Sequence, residues 1–511
     1  MNQRTRYCRI AAICLLGCLL LVACNFPGTA TSVPPTSRPT ATAHATSTPP
    51  PTLTATVTSV PTDAPRPRLS ESADIIEVVP NVTLDVELFY YERWMRVHQT
   101  IDLTNTSPDV WNEVVFNDPI NALPDTFLLD AVKVTIGEDS QQPLVDQSHP
   151  ILHIPLPHEA KPGEAIQIEM NYRVVIPPIS PTDWPPNGTT GWRFGVIQAG
   201  EWYPAIVPYV AGQGWHTWDY RAVGDPTVYP LENMKLNVKT DGGIMVASGG
   251  ALGQDANGVW HFEVNAARGI AFLASERFES TQGEANGIPI TSYYQPEHAA
   301  AGEAALQITS EAIQLYEKLY GPYPYKSLVV AENGFFGGME YSGLISITDY
   351  AYVIYTGETP SLLQTLVAHE TAHQWWYGAV GNDQANEPWL DESLAFYSEL
   401  LYFEHYAPDD VDWWWQNRVD VYNPHGPVDA SIYTYGESSD FITSMYGQAA
   451  RFLRDLRKEM GDEAFFAFLQ DYYRTYSGQI ITGHEFKTMA QAHTDHDLTP
   501  LFQAYFANPN P

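Results

Sequence analysis

Two histidines four residues apart, with a glutamate beside the first, carry the most chemical information in this chain: His369-Glu370-Thr371-Ala372-His373. On a helix, residues four apart are neighbours, so both imidazoles can reach one cation while Glu370 stands next to them. A catalytic site of this kind takes three protein ligands and leaves a fourth position for water. Eighteen residues separate His373 from Glu392, which lies in Trp389-Leu390-Asp391-Glu392-Ser393-Leu394-Ala395, a segment that reads as a second helix started by Pro388. Glu392 falls in its first turns, on the same side as the apolar stripe. A carboxylate buried there unpaired is costly, and a zinc ion would satisfy it. The expectation is one Zn2+ per chain held by His369, His373 and Glu392, with Glu370 placed to take a proton from water. The plainer alternative, two surface histidines and a solvated glutamate, leaves the third carboxylate unexplained.

These residues need helices to position them. Pro360 suits the first turn of the helix bearing the histidines and Gly378 suits its end, with Leu362, Leu366, His369 and His373 on one face. Upstream, the stretch from Ala304 to Leu319 reads as a helix stopped by Gly321-Pro322-Tyr323-Pro324. Strands from Leu328 to Ala331 and from Leu344 to Ile347 flank Gly337-Gly338. Helices dominate from there on, and Thr482 with Glu485 forms a capping box for one of the last of them. Before residue 283 the period is two. Ile166, Ile168, Met170, Tyr172 and Val174 alternate with polar residues, and so do Val82, Leu84, Val86 and Leu88. Such strands bury one face and predict an antiparallel sheet domain. The expected fold class is therefore α+β, with an antiparallel β domain over 73–282 and a mainly helical, thermolysin-like domain over 283–511.

At this point the chain resembles the aminopeptidase N family of gluzincin zinc metallopeptidases. The motif His369-Glu370-x-x-His373-x18-Glu392 is similar to the family's metal signature, and Trp375-Trp376 and Gly321-Pro322-Tyr323-Pro324-Tyr325 extend the likeness. Gly337-Gly338-Met339-Glu340-Tyr341 resembles the family's Gly-x-Met-Glu-Asn exopeptidase motif, with Tyr341 in place of the asparagine. The resemblance implies that Glu340 accepts the α-ammonium of a peptide substrate, while Gly337, Gly338 and Met339 lie against its backbone. It also implies an oxyanion-stabilising tyrosine. Tyr446-Gly447-Gln448-Ala449-Ala450 fits that pattern with Gln448 in place of a lysine, which favours Tyr446 over Tyr433 and Tyr435. No counterpart of the large C-terminal helical domain of long members follows Phe506, so a more open cleft is expected. The implied activity is zinc-dependent release of N-terminal residues from peptides. The alternatives are an endopeptidase with an open cleft and a non-catalytic peptide-binding surface lipoprotein.

The first 72 residues are not part of that fold. Arg4, Arg6 and Arg9 precede an apolar run from Ile10 to Ala23, too short to span a bilayer comfortably, which reads as a signal peptide over 1–24. Its end, Leu21-Val22-Ala23-Cys24, resembles the lipobox of bacterial lipoproteins, in which the cysteine is acylated; this implies an extracytoplasmic, membrane-anchored protein. All four cysteines (Cys8, Cys14, Cys18, Cys24) lie in this leader, so no disulfide or cysteine-ligated metal is available to the mature chain. Residues 25–72 form a Thr/Pro/Ser-rich run, as in Pro49-Pro50-Pro51-Thr52, which cannot bury a core. Extended in polyproline fashion, about 45 such residues would reach roughly 140 Å, as a stalk. The formal charge of −34 repels phosphate backbones and argues against nucleic-acid binding. His493 and His496 resemble a metal pair but lack evident partners, and Trp413-Trp414-Trp415 reads by default as packing.

Overall fold

The computed structural model describes residues 75–180, 189–219, 221, 224, 227–434 and 441–509. The expected signal peptide, the acylated Cys24 and the Thr/Pro/Ser-rich stalk lie outside the described residues. Everything described belongs to one compact unit.

The alternation seen in the sequence becomes an eight-stranded sheet. Its spatial order is Ala251–Gln254, Val259–Ala267, Glu232–Thr240, Asn81–Phe89, Trp94–Thr104, Ala165–Val175, Phe127–Ile136 and Asp139–Gln141. Along Asn81–Phe89, Val82, Leu84, Val86 and Leu88 are buried while their neighbours face outward, as a period of two requires. The pairing is antiparallel except in one place. Glu232–Thr240 runs parallel to Asn81–Phe89, with Leu236 opposite Leu84. A parallel neighbour demands a long crossover, here the chain between those strands, and nothing in a strand's own alternation reveals it. Three smaller sheets of two- to ten-residue strands contribute to the same core.

The C-terminal half is built on a second sheet, in the order Glu279–Ala285, Ile288–Tyr294, Leu328–Asn333, Leu344–Thr348 and Gly338–Met339. The change of character expected at 282/283 thus falls within a strand. Glu279–Ala285 pairs along its whole length with Ile288–Tyr294, so by sheet membership the mixed part begins a few residues earlier. Helix Ala299–Leu319 packs on this sheet and starts five residues before the expected Ala304. Helices Leu362–Ala372, Trp389–Tyr406, Ala449–Met460, Asp462–Tyr476, Gly483–Ala492 and Thr499–Tyr505 follow. The capping box expected at Thr482 and Glu485 is present.

Two devices fix this half in place. Trp389 is fully buried, its ring 5.1 Å from that of Phe486 and 4.9 Å from that of Phe506, edge to face. It anchors the start of the helix carrying Glu392 to the C-terminal helices, and its burial is worth roughly 1.5–3 kcal/mol. Arg268, at the end of the β region, is buried and donates to three carbonyls: Tyr377 at 2.9 Å, Tyr229 at 2.7 Å and Gln479 at 2.9 Å. It ties the β region to the segment just beyond the histidine helix.

Candidate active site

Ser361 begins the histidine helix. Its hydroxyl accepts from Gln364 N at 3.3 Å, and its own N–H donates to Gln364 Oε1 at 3.1 Å. Pro360 therefore precedes the helix rather than occupying its first turn. Helix Leu362–Ala372 also ends earlier than Gly378. Beyond it the backbone widens, with Gly378, Ala379 and Val380 donating to the carbonyls of His373, Gln374 and Trp375. These are five-residue steps, looser than an α-helix allows. Regular geometry persists just far enough to put His369 and His373 one turn apart, with His373 N bonded to His369 O at 3.3 Å.

The inward atoms of three side chains then converge. The two Nε2 atoms are 3.1 Å apart, and Glu392 Oε2 lies 3.2 Å from His369 Nε2 and 3.6 Å from His373 Nε2. All three residues are buried. Tetrahedral ligands at about 2.0–2.1 Å from a zinc ion stand roughly 3.3 Å from one another, which is the size of this triangle.

The outer partners decide what the triangle contains. His373 Nδ1 lies 2.9 Å from Trp376 O, and a carbonyl can only accept, so Nδ1 carries the proton. His369 Nδ1 lies 3.1 Å from Glu399 Oε1, an acceptor again. In the neutral tautomers both Nε2 lone pairs therefore face inward, toward the Glu392 carboxylate. Three buried electron-pair donors pointed at one another repel unless a proton or a metal cation sits between them. The donor set, two imidazoles and a carboxylate with room for a fourth ligand, fits Zn2+.

The surroundings reinforce this. Burial opposes ionisation of Glu392, yet the two imidazoles outweigh it and hold its carboxyl far below the usual range. Burial likewise opposes protonation of His369, but Glu392 and Glu399 pull it up to about 9. Glu370 is raised to about 8, chiefly by burial, with Glu340 adding to the effect. So negative a cage recruits positive charge.

The structure also assembles the upstream motif here. Gly338–Met339 is the edge strand of the mixed sheet, paired with Leu344–Thr348 through Gly338↔Ile347 and Met339↔Ser346. Any side chain at Gly338 would collide with the Glu370 carboxylate, which is why glycine stands there. Glu340 follows, buried, with a carboxylate oxygen within 4.8 Å of donor atoms of Glu370 and His373. Gly337 has a φ of +124° and accepts from Thr348 N at 2.9 Å, closing the turn before the strand. Tyr446 lies in the Ile442–Gln448 helical segment, its ring 6.0 Å from that of His369 and 5.4 Å from that of Phe396. Tyr433 turns its hydroxyl to the carbonyl of Asp219 at 3.1 Å, and Tyr435 is outside the described residues. His493 is engaged by Asp471 at 3.1 Å and by the Met489 carbonyl at 2.9 Å, away from this cluster.

Sequence reasoning missed several contributors. Glu399, fully buried, is gripped by Arg418 through two bonds of 2.9 and 2.8 Å and by Trp414 Nε1 at 3.0 Å. Burial alone would raise its carboxyl; Arg418 and His369 hold it below its usual value. Its spacing of seven residues from Glu392, two turns along the same helix, was the available signal. Gln374 accepts from Gly343 N at 2.9 Å and donates to the carbonyls of Glu340 and Tyr341, fastening that loop to the histidine helix. The β region supplies Glu201, raised to about 7 by burial and held by Thr227 and Thr189. It lines a small cleft together with Glu340, Met339, Tyr341 and Arg268.

Residues 304–505 match the peptidase family M1 domain. The chain is 26% identical over 292 residues to aminopeptidase N of Lactobacillus helveticus, covering 53% of this chain and 34% of that protein. It is 24% identical over 298 residues to leucyl aminopeptidase of Saccharolobus solfataricus, covering 54% and 38%. It thus spans little more than a third of the length of these relatives. An M1 zinc metallopeptidase from Deinococcus radiodurans shares the fold, with a TM-score of 0.61 at 17% identity, over 85% of this chain and 95% of that one.

Proposed function

We propose that this chain, whose residues 304–505 match the peptidase family M1 domain, is a zinc metallopeptidase that releases single residues from the free amino termini of peptides. The observation that carries the reading is the cage of three inward electron pairs from His369, His373 and Glu392, with Glu370 and Glu340 at its rim. When bound there, Zn2+ supplies a Lewis acid for the scissile carbonyl and makes water acidic enough to lose a proton near neutrality.

The chain's own residues do the rest. Glu370 takes the proton of the attacking water on its carboxylate and returns it to the departing amine. Glu340 accepts the substrate's α-ammonium; its carboxylate is within 4.8 Å of Glu370, about one to one and a half residue lengths, so only the first peptide bond reaches the base. The edge strand holds the peptide backbone at Gly338 and Met339, with Gly337 easing its approach. Tyr446, packed beside His369, donates to the oxygen that becomes negative in the transition state.

The leader suggests where this happens. Cys24 is acylated and anchors the protein outside the cytoplasm, with residues 25–72 as a spacer; the lipobox-like Leu21-Val22-Ala23-Cys24 supports this reading. Radiolabelled fatty acid should be incorporated by the wild type and lost with Cys24→Ala.

Paired peptides with free and acetylated amino termini test the function. Free peptides should be shortened from that end, acetylated ones should resist, and Glu340→Ala should narrow the difference by about 10–150-fold, the worth of one charge-assisted hydrogen bond of about 1.5–3 kcal/mol. Equal cleavage of both by the wild type would instead identify an endopeptidase.

A further inference from the structure

Just before the two-residue edge strand, across the bend at Gly337, the chain presents a group of exposed apolar side chains. Phe336, Tyr350, Val353 and Ile354 are 46%, 45%, 60% and 43% exposed, far more than a soluble core would leave in one neighbourhood. The ladder of Gly338–Met339 with Leu344–Thr348 explains their meeting. It extends one step through Thr348 N to Gly337 O, so the next residues on each arm, Phe336 and the start of helix Asp349–Val353, face one another. The Phe336 and Tyr350 rings are 6.5 Å apart at 37°. Val353 and Ile354 lie three and four residues beyond Tyr350, on the same helical face, with Ile354 N bonded to Tyr350 O at 3.1 Å.

The direction of a bound peptide follows from the order of groups along this edge. Glu340 receives the amine, and the first peptide bond lies at Gly338, where the Glu370 carboxylate fills the space a side chain would need. The peptide therefore runs antiparallel to the strand, and its later residues pass Gly337 and then Phe336. Phe336 lies two residues before the strand, beyond the bend at Gly337. A bound peptide that stays extended, at about 3.3 Å per residue, passes the end of the two-residue strand with its third and fourth residues, and there it meets the patch.

Resting on the aminopeptidase reading, we propose that Phe336, Tyr350, Val353 and Ile354 form a subsite that selects peptides with apolar side chains at their third and fourth positions. The occupant is the substrate itself, because the patch begins where the ladder of the strand that holds it ends. Peptides of two residues stop short of the patch and gain nothing from it.

The experiment compares Ala-Ala, Ala-Ala-Ser-Ser and Ala-Ala-Leu-Leu as substrates of the zinc-loaded full-length protein. The wild type should cleave the leucine peptide with a kcat/KM about tenfold above the serine peptide, as part-burial of two leucines on an aromatic platform gives. Tyr350→Ser and Val353→Ser, both on an exposed helix and each checked by thermal melting, should reduce that ratio to about two or less while leaving Ala-Ala unchanged. Cleavage of Ala-Ala with no leucine preference, or a preference that survives in both variants, overturns the subsite and leaves the aminopeptidase reading standing. If no peptide is cleaved, that reading falls and the subsite with it.

Discussion

Glu399→Gln isolates how far the ion site depends on a residue that never touches the ion. The Glu399 carboxylate is fully buried and accepts from Trp414 at 3.0 Å and from Arg418 at 2.9 and 2.8 Å, with His369 Nδ1 at 3.1 Å. Glutamine keeps the shape but replaces one oxygen with an N–H2 that must face either His369 and Arg418 Nη2 or Trp414 and Arg418 Nε, all of them donors. Two contacts become donor against donor, and the negative charge that fixes the His369 tautomer is gone. Loss of such an outer partner costs about 10–100-fold in metal affinity. That is about 1.4–2.7 kcal/mol at 1.36 kcal/mol per factor of ten. Arg418 also loses its counter-charge; because 19% of its side chain reaches solvent, the stability loss should sit at or below the lower end of the roughly 3–5 kcal/mol seen when a buried pair is broken. Competition with a chromophoric chelator measures the zinc Kd, and circular dichroism confirms folding. A folded Glu399→Gln protein that binds zinc within twofold of the wild type would refute the reasoning.

Three further outcomes follow from particular contacts. Tyr446→Phe should lower kcat by about 10²–10³ with little change in KM, since the donor acts only as charge develops; steady-state kinetics on a free-amine peptide measure it. Arg268→Met leaves three buried carbonyls without their shared donor, a loss of about 4 kcal/mol. Spread over a body of roughly 400 residues, it should lower Tm by about 4–5 °C in calorimetry. Glu232, raised to about 8 by burial despite the Tyr203 hydroxyl that donates to it at 3.1 Å, gives a pH signature. The folded state keeps a proton that the unfolded chain releases, so stability is fully present below about pH 4.5 and is lost as pH rises toward 8. Glu232→Gln should melt progressively higher than the wild type between pH 5 and pH 8; a constant difference would contradict the burial argument.

The convergence of the three candidate ligands was legible because helical spacing is local information. His369 and His373 need only one turn of regular backbone, and Trp389, locked between Phe486 and Phe506, fixes the helix that returns Glu392. The alternation of Val82, Leu84, Val86 and Leu88 announced a sheet, but not its parallel partner 150 residues on, because alternation records which face is buried and not which strand lies alongside. Helix ends were less legible. Ser361 took the cap ahead of Pro360, and the five-residue backbone steps after His373 ended the helix before Gly378. Arg418, Gln374 and Glu201 could not be read from the chain at all: each acts through a contact between segments distant in sequence, and a lone charged or amide residue carries no periodic mark.

Zinc-edge anomalous scattering from a crystal of the protein, collected on both sides of the absorption edge, tests the account most directly. A single peak should lie about 2.0–2.2 Å from His369 Nε2, His373 Nε2 and a Glu392 oxygen. A peak elsewhere, or none there from crystals grown with stoichiometric zinc, would contradict it.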